Sequence, residues 1–67
     1  MTNHERQALE YVRNTGGGAT KTNFIEDWEP IGQRMWDDVF NQGWVMVKDN
    51  RKIYLTVIGE EVLAKDT

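Results

Sequence analysis

The second half of the chain contains two short β-prone runs separated by a polar turn, and this pattern constrains the fold most. The runs are Trp44–Val47 and Lys52–Thr56, both rich in β-branched and aromatic residues. Between them, Lys48-Asp49-Asn50-Arg51 supplies turn-forming residues. We therefore predict an antiparallel hairpin with a basic tip. Because an isolated hairpin is marginal in water, the rest of the chain must supply a body on which it packs.

The first half begins with a helix signal. Thr2-Asn3-His4-Glu5 has the Ser/Thr-x-x-Glu spacing of a capping box. Apolar residues then recur at helical spacing until Asn14 and Gly16, which are typical helix-ending residues. These apolar residues are Ala8, Leu9, Tyr11 and Val12. We predict a first helix here, followed by a permissive loop at residues 16–18.

Two further helices are predicted before the hairpin. Thr20 is suited to cap a second helix, in which Phe24, Ile25 and Trp28 share one face. Pro30 suits the first turn of a third helix that ends before Gly43. Its apolar stripe is Ile31, Met35, Trp36, Val39 and Phe40, and its polar face is Gln33, Arg34, Asp37, Asp38 and Asn41. We expect this stripe to pack on the first two helices.

A closing helix follows the hairpin. Thr56 is placed to cap it, and the spacing of Ile58, Val62 and Leu63 predicts that these three side chains turn inward. The predicted class is α+β, with a three-helix body, a C-terminal hairpin and a short closing helix. A chain of 67 residues forms one domain, residues 1–67, and at this size folding buries only about 60% of the surface of the unfolded chain.

The composition limits the cellular compartment that we expect and the catalytic or metal-binding chemistry open to the chain. No apolar run approaches the ~20 residues needed to span a bilayer, and the first residues are polar, so we expect a cytoplasmic protein without a membrane partner. The chain has no cysteine and no serine, which removes thiolate metal sites and the commonest nucleophiles. His4 is the only histidine and is interpreted as a polar residue of the first turn. We predict no enzyme activity, no cofactor and no metal site.

Two sequence patterns resemble functional motifs, but we interpret both as structural. The segment Gly16–Thr22 superficially resembles a phosphate-cradling loop that ends in Lys-Thr, but position 20 is Thr where that motif requires Gly. Trp28, Trp36 and Trp44 recur every eight residues, yet we interpret them first as core rather than as a base-stacking platform. Of the three, we expect Trp28 to be the most exposed.

Charge is distributed unevenly along the chain. The net charge of −3 argues against indiscriminate binding to nucleic acid. Lys48, Arg51 and Lys52 nevertheless surround the predicted hairpin tip, where only Asp49 opposes them. The acidic residues gather elsewhere, at Glu26, Asp27, Glu29, Asp37 and Asp38. The surface is predicted to be dipolar.

The order of elements resembles the winged helix-turn-helix superfamily, which includes small bacterial, archaeal and phage regulators. Gly43-Trp44-Val45 is similar to the Gly-Leu-Val that follows a recognition helix. The segment Tyr54–Gly59, with Leu63 beyond it, is similar to the Leu-Thr-x-x-Gly-x-x-x-Leu that closes many wings. The resemblance covers nearly the whole chain. It implies a DNA-binding protein, a transcriptional regulator or a related phage or mobile-element factor, whose third helix enters the major groove.

The resemblance also implies which side chains meet double-stranded DNA. Gln33 and Arg34 on helix three would face bases or phosphates. Lys48, Arg51 and Lys52 would be wing contacts. Thr20, Lys21 and Thr22 at the start of helix two would face the DNA backbone. This sequence departs from many members of the superfamily in placing Asp37 and Asp38 on the exposed face of helix three, where carboxylates repel phosphates although an aspartate can accept from cytosine N4.

Other readings of the same residues stay open. Arg34 is also spaced to pair with Asp37 or Asp38 as a solvated helix residue. The hairpin cations can instead prevent a short hairpin from pairing with other chains. A protein-interaction module of the same fold would use the acidic surface with Trp28 as its anchor. DNA binding with so few cations would benefit from a homodimer.

Overall fold

The computed structural model describes residues 1–66 and has an α+β architecture, with four helices and one two-stranded antiparallel sheet. In chain order, the elements are α1 (Asn3–Thr15), α2 (Lys21–Asp27), α3 (Gly32–Asn41), β1 (Val45–Val47), β2 (Ile53–Leu55) and α4 (Val57–Lys65). No helix within the described residues is both long enough and apolar enough to cross a membrane.

Three threonines begin three of the helices, as the sequence predicts. The Thr2 hydroxyl accepts a hydrogen bond from the Glu5 N–H at 3.1 Å, and the Glu5 carboxylate accepts one from the Thr2 N–H at 2.7 Å. The Thr20 hydroxyl accepts from the Asn23 N–H at 3.1 Å. The Thr56 hydroxyl accepts from the Gly59 N–H at 3.0 Å. Each cap satisfies a backbone N–H that the helix itself leaves unpaired.

Helix α3 begins later than predicted. The prediction that Pro30 occupies its first turn is wrong: Pro30 lies in the preceding turn, and the helix starts at Gly32. The Ile31 N–H donates to the Trp28 carbonyl at 3.0 Å, so residues 28–31 form a separate turn between α2 and α3. The two backbones also approach closely just after this turn. A Cβ atom on Gly32 would lie 2.2 Å from the Ile25 carbonyl oxygen of α2, so the chain crosses α2 where only glycine fits.

The hairpin is present with shorter strands than predicted. Val45 pairs with Leu55, Met46 with Tyr54 and Val47 with Ile53. Residues 19 and 20 then run along the other edge of β2: the Ile53 N–H donates to the Ala19 carbonyl at 3.0 Å, and Thr20 forms an isolated antiparallel bridge with Lys52. The loop between α1 and α2 is thereby tied to the hairpin.

In the part of the chain that the structure describes, one apolar cluster lies among α1, α2, α3 and the hairpin, and α4 contributes Leu63 to it. Its buried members are Ala8, Leu9, Val12, Ala19, Phe24, Met35, Trp36, Val39, Val45, Ile53 and Leu63.

Two residues predicted to point inward do not. Phe40 is 49% exposed and stacks on Trp36, and Ile58 is 55% exposed. The orientation of α4 is set instead by Gly59, whose backbone lies against Trp44. A Cβ atom on Gly59 would lie 2.0 Å from the Trp44 carbonyl oxygen, so this face of α4 turns inward and Ile58 turns out.

Candidate functional site

The start of α2 and the second strand carry predicted site residues that the fold brings together. Thr20, directly before α2, and Lys52, directly before β2, form the antiparallel bridge. The Thr20 side chain is engaged in its cap with Asn23, whereas Lys21 and Thr22 in the first turn of α2 are exposed. The bridge therefore places the start of α2 next to the base of the hairpin, although the two segments are distant in sequence.

The hairpin tip has a defined backbone geometry. The Arg51 N–H donates to the Lys48 carbonyl at 2.8 Å, and the Lys48 N–H donates to the Lys52 carbonyl at 3.0 Å. Asn50 Oδ1 accepts from the Lys52 N–H at 3.0 Å. Arg51 itself has a φ of 64°, in the left-handed region. This is the three-residue hairpin loop in which a turn is followed by a left-handed residue, and it leaves the Arg51 side chain exposed.

Tyr54 links this tip to the glycine loop, a role that the sequence analysis missed. The Lys48 ammonium lies 4.5 Å from the centre of the Tyr54 ring, a cation–π contact. Asn50 Nδ2 donates to the Tyr54 hydroxyl at 3.3 Å. On the other side, a Cβ atom on Gly17 would lie 2.7 Å from the ring. The available signal in the sequence was the spacing of Lys48 and Tyr54, which places them diagonally on one face of the hairpin, together with the adjacent glycines at 16–18.

The exposed face of α3 carries the other predicted residues. Gln33 Nε2 donates to Asp37 Oδ1 at 2.9 Å, one helical turn away. Arg34 is exposed and borders a concavity of about 330 Å³. Thr2, His4, Ile31, Met35 and Asp38 line the same concavity. Within residues 1–66 the ion pair that forms is Arg6 with Asp66 at 3.5 Å, so the pairing of Arg34 with Asp37 or Asp38 considered above is not present.

Asp38 interacts with a carboxylate of another helix. Glu5 on α1 is only 8% exposed, and Gln42 Nε2 donates to it at 3.4 Å. The Thr2 backbone N–H holds the pKa of Glu5 below its ordinary value, although burial opposes this. A hydrogen bond with Glu5, followed by burial and repulsion from its charge, raises the pKa of Asp38. Asp37 and Asp38 thus both interact with neighbouring side chains, and the raised pKa of Asp38 favours its protonated form.

The acidic surface near Trp28 has a different character. The Tyr11 hydroxyl donates to Asp27, and burial together with that carboxylate raises the pKa of Tyr11 to about 12. Trp28 is half-buried and packs edge-on against Tyr11, with ring centres 6.1 Å apart. Its indole Nε1 is buried without a hydrogen-bond partner within residues 1–66. Trp44 is also half-buried, so Trp28 is not alone in its partial exposure.

Comparison of this chain with family models, with curated proteins and with solved structures finds no match. The described residues contain no group of three or more histidine or carboxylate side chains placed to hold a metal ion.

Proposed function

We propose that this protein binds double-stranded DNA as a small regulator of the winged helix-turn-helix type. The observation that carries the proposal is the bridge between Thr20 and Lys52, because it sets the first turn of α2 beside the base of the cationic hairpin. Lys21, Lys52, Lys48 and Arg51 are then distributed over two adjoining elements. Cations arranged in this way suit the phosphates of a nucleic acid backbone.

Helix α3 supplies the candidate base-reading residues. Gln33 and Arg34 are exposed near its start, while Met35, Trp36 and Val39 bury its other side. Arginine can bind guanine O6 and N7 with two hydrogen bonds, and glutamine can do the same with adenine N6 and N7. In the proposed complex, α3 lies in the major groove and Gln33 exchanges its hydrogen bond to Asp37 for one to a base.

The charge balance predicts weak, salt-dependent binding. With Arg34 assigned to a base, Lys21, Lys48, Arg51 and Lys52 allow about 4 phosphate contacts, and the logarithm of affinity falls by about 0.9 per contact for each tenfold rise in salt. The net charge of −3 adds a long-range repulsion between the protein and DNA. We therefore expect detectable binding at low ionic strength and a marked loss at physiological salt.

The test is a titration of labelled duplex DNA at two salt concentrations, with amide chemical shifts followed in parallel. We expect shifts to concentrate at Lys21, Arg34 and the hairpin tip. Arg51→Ala should weaken binding to every sequence alike, whereas Arg51→Lys, which keeps the charge, should restore most of it. Arg34→Ala should instead relax preference at one base pair. An unchanged spectrum at millimolar duplex would reject DNA binding.

A protein-interaction module remains the alternative, and the acidic surface at Glu26, Asp27 and Glu29 is the observation in its favour, since all three side chains are exposed. Its proposed anchor is Trp28. That ring, however, already packs against Tyr11 and Phe24. An absence of DNA binding, combined with shifts confined to this surface when a partner is added, would favour this alternative.

A further inference from the structure

The outward face of α4 is apolar at one end. Val57 is 71% exposed and Ile58 is 55% exposed, although both are β-branched apolar residues in the first turn of a helix. One turn further on, Val62 is half-buried against the core, and its exposed part borders a groove of about 250 Å³. Met1, Trp44, Lys65 and Asp66 also line it. We call Ile58, Glu61, Val62 and Lys65 the α4 face, because their spacing places them on one side of the helix.

The charges of the α4 face are ordered along the helix. Glu61 lies in its middle and Lys65 at its last residue. Both are exposed, and neither takes part in an ion pair within residues 1–66, where Arg6 pairs with Asp66 instead. The face therefore has one free acid and one free base, with apolar side chains beside them. A surface of this kind is complementary to its own copy in the antiparallel orientation.

We propose that the chain forms a two-fold homodimer in which α4 packs antiparallel on α4 of a second copy. With the axis near Val62, Ile58 contacts the aliphatic stem of the partner's Lys65, and the Lys65 ammonium reaches the partner's Glu61. Because the proposed dimer has two-fold symmetry, each of these two contacts occurs twice. The antiparallel orientation also opposes the two helix dipoles favourably.

The charge composition of the α4 face argues for a second copy over other occupants. One carboxylate and one ammonium cancel, so this face offers no net charge to select an anionic lipid surface or a nucleic acid. The apolar contribution is small because α4 has nine residues. The dimer is accordingly expected to be weak, with dissociation in the micromolar range or above (on the order of 10 μM or more).

The test uses complementary charge reversals, read by sedimentation equilibrium over a concentration series without DNA. Lys65→Glu gives a chain with acids at 61 and 65, and Glu61→Lys gives one with bases at both positions. Each variant alone should dissociate at least about tenfold more readily than the wild type, because like charges face each other. An equimolar mixture should associate as a heterodimer, since both intermolecular pairs are then opposite in sign.

The mixture separates this interface from an effect within one chain. A helix weakened by like charges at positions 61 and 65 would stay weakened on mixing, whereas the proposed contact would be restored. Circular dichroism of each variant checks that the fold persists. A wild type that stays monomeric up to millimolar concentration, or a mixture that stays monomeric when the wild type dimerises, would overturn the proposal. The proposed DNA contacts are not involved in either outcome.

Discussion

The hairpin tip and the exposed face of α3 differ in how their functional side chains are held. At the tip, backbone hydrogen bonds fix the loop, and Tyr54 joins it to the glycine loop through Lys48 and Gly17. On α3, Gln33 is bonded to Asp37, and Asp38 is engaged with Glu5 on α1. The tip therefore has a fixed geometry in the protein alone, whereas in the proposed DNA complex Gln33 exchanges its hydrogen bond with Asp37 for one to a base.

The largest expected effect tests how strongly the tip is tied to the loop. Gly17→Ala should destabilise the fold by about 2–3 kcal/mol, because the residue has a φ of 86° and its Cβ would lie 2.7 Å from the Tyr54 ring. Gly16→Ala is the matched control: its φ is 54°, but no atom lies within 4 Å of the added Cβ. It should cost only about 1 kcal/mol. Chemical denaturation measures both, and equal losses would mean that the Tyr54 contact contributes nothing.

A smaller effect separates the geometry of the tip from its charge. Arg51→Gly should stabilise the protein by up to about 1 kcal/mol, because glycine adopts the left-handed conformation without the steric cost that arginine has at a φ of 64°. The same change removes a cation and should weaken DNA binding. Thermal melting and DNA titration on one sample measure the two quantities. A destabilised Arg51→Gly variant would indicate that the arginine side chain makes a compensating contact.

The carboxyl pair of Glu5 and Asp38, which joins the exposed face of α3 to α1, makes the free energy of unfolding depend on pH. The raised pKa of Asp38 means that its ionised form is disfavoured in the folded state, so this group adds stability as pH falls through that pKa. The lowered pKa of Glu5 has the opposite sign: its contribution is present above the unfolded pKa and is lost as pH falls through the folded one. In the wild type the two tendencies partly cancel.

Asp38→Asn should remove the pH-dependent contribution of Asp38 to stability and leave that of Glu5. At neutral pH we expect a gain of about 0.5 kcal/mol, since the like charge beside Glu5 is gone while a polar partner remains. On acidification the gain should shrink, because the wild type then gains stability from protonating Asp38. Unfolding free energies at neutral and acidic pH measure this. A gain that is the same at every pH would exclude the carboxyl pair as its cause.

The smallest expected effect concerns Gln33. Asp37→Asn keeps a carbonyl oxygen to accept the Gln33 hydrogen bond but removes a charge from the α3 face. Stability should change by less than about 0.5 kcal/mol, whereas DNA affinity should rise several-fold at low salt. Comparison with Asp49→Asn at the tip would show which of the two surfaces lies closer to phosphates.

Local features of this fold were predictable from the sequence, and close approaches between distant segments were not. Thr2, Thr20 and Thr56 cap their helices through residues only three positions away, so the local sequence identified them: the spacing to Glu5 for Thr2, and the residue type before a helical pattern for Thr20 and Thr56. The turn before α3 and the orientation of α4 instead accompany close approaches between segments, of Gly32 to Ile25 and of Gly59 to Trp44. No periodicity carries such information, and for that reason the positions of Pro30 and Ile58 were predicted wrongly.

In the candidate site, too, features set by the local sequence were predictable and contacts between distant segments were not. The exposure of Gln33, Arg34, Lys48 and Arg51 was predictable, because their positions follow from helix and hairpin patterns. The partners that restrain the site were not. Glu5 interacts with Asp38 of α3 and with Gln42 at its end, and Gly17 of the loop between α1 and α2 lies against the Tyr54 ring.

The pairing of residues 19 and 20 with the edge of β2 has a mechanical consequence. The Ile53 N–H bonds to the Ala19 carbonyl, and Thr20 is at once a strand partner of Lys52 and the cap of α2. A force that tilts the hairpin is therefore transmitted directly to the first turn of α2. The amide of Ile53 should accordingly be among the slowest to exchange with deuterium. Its degree of protection would show whether the hairpin and α2 move together as one rigid unit.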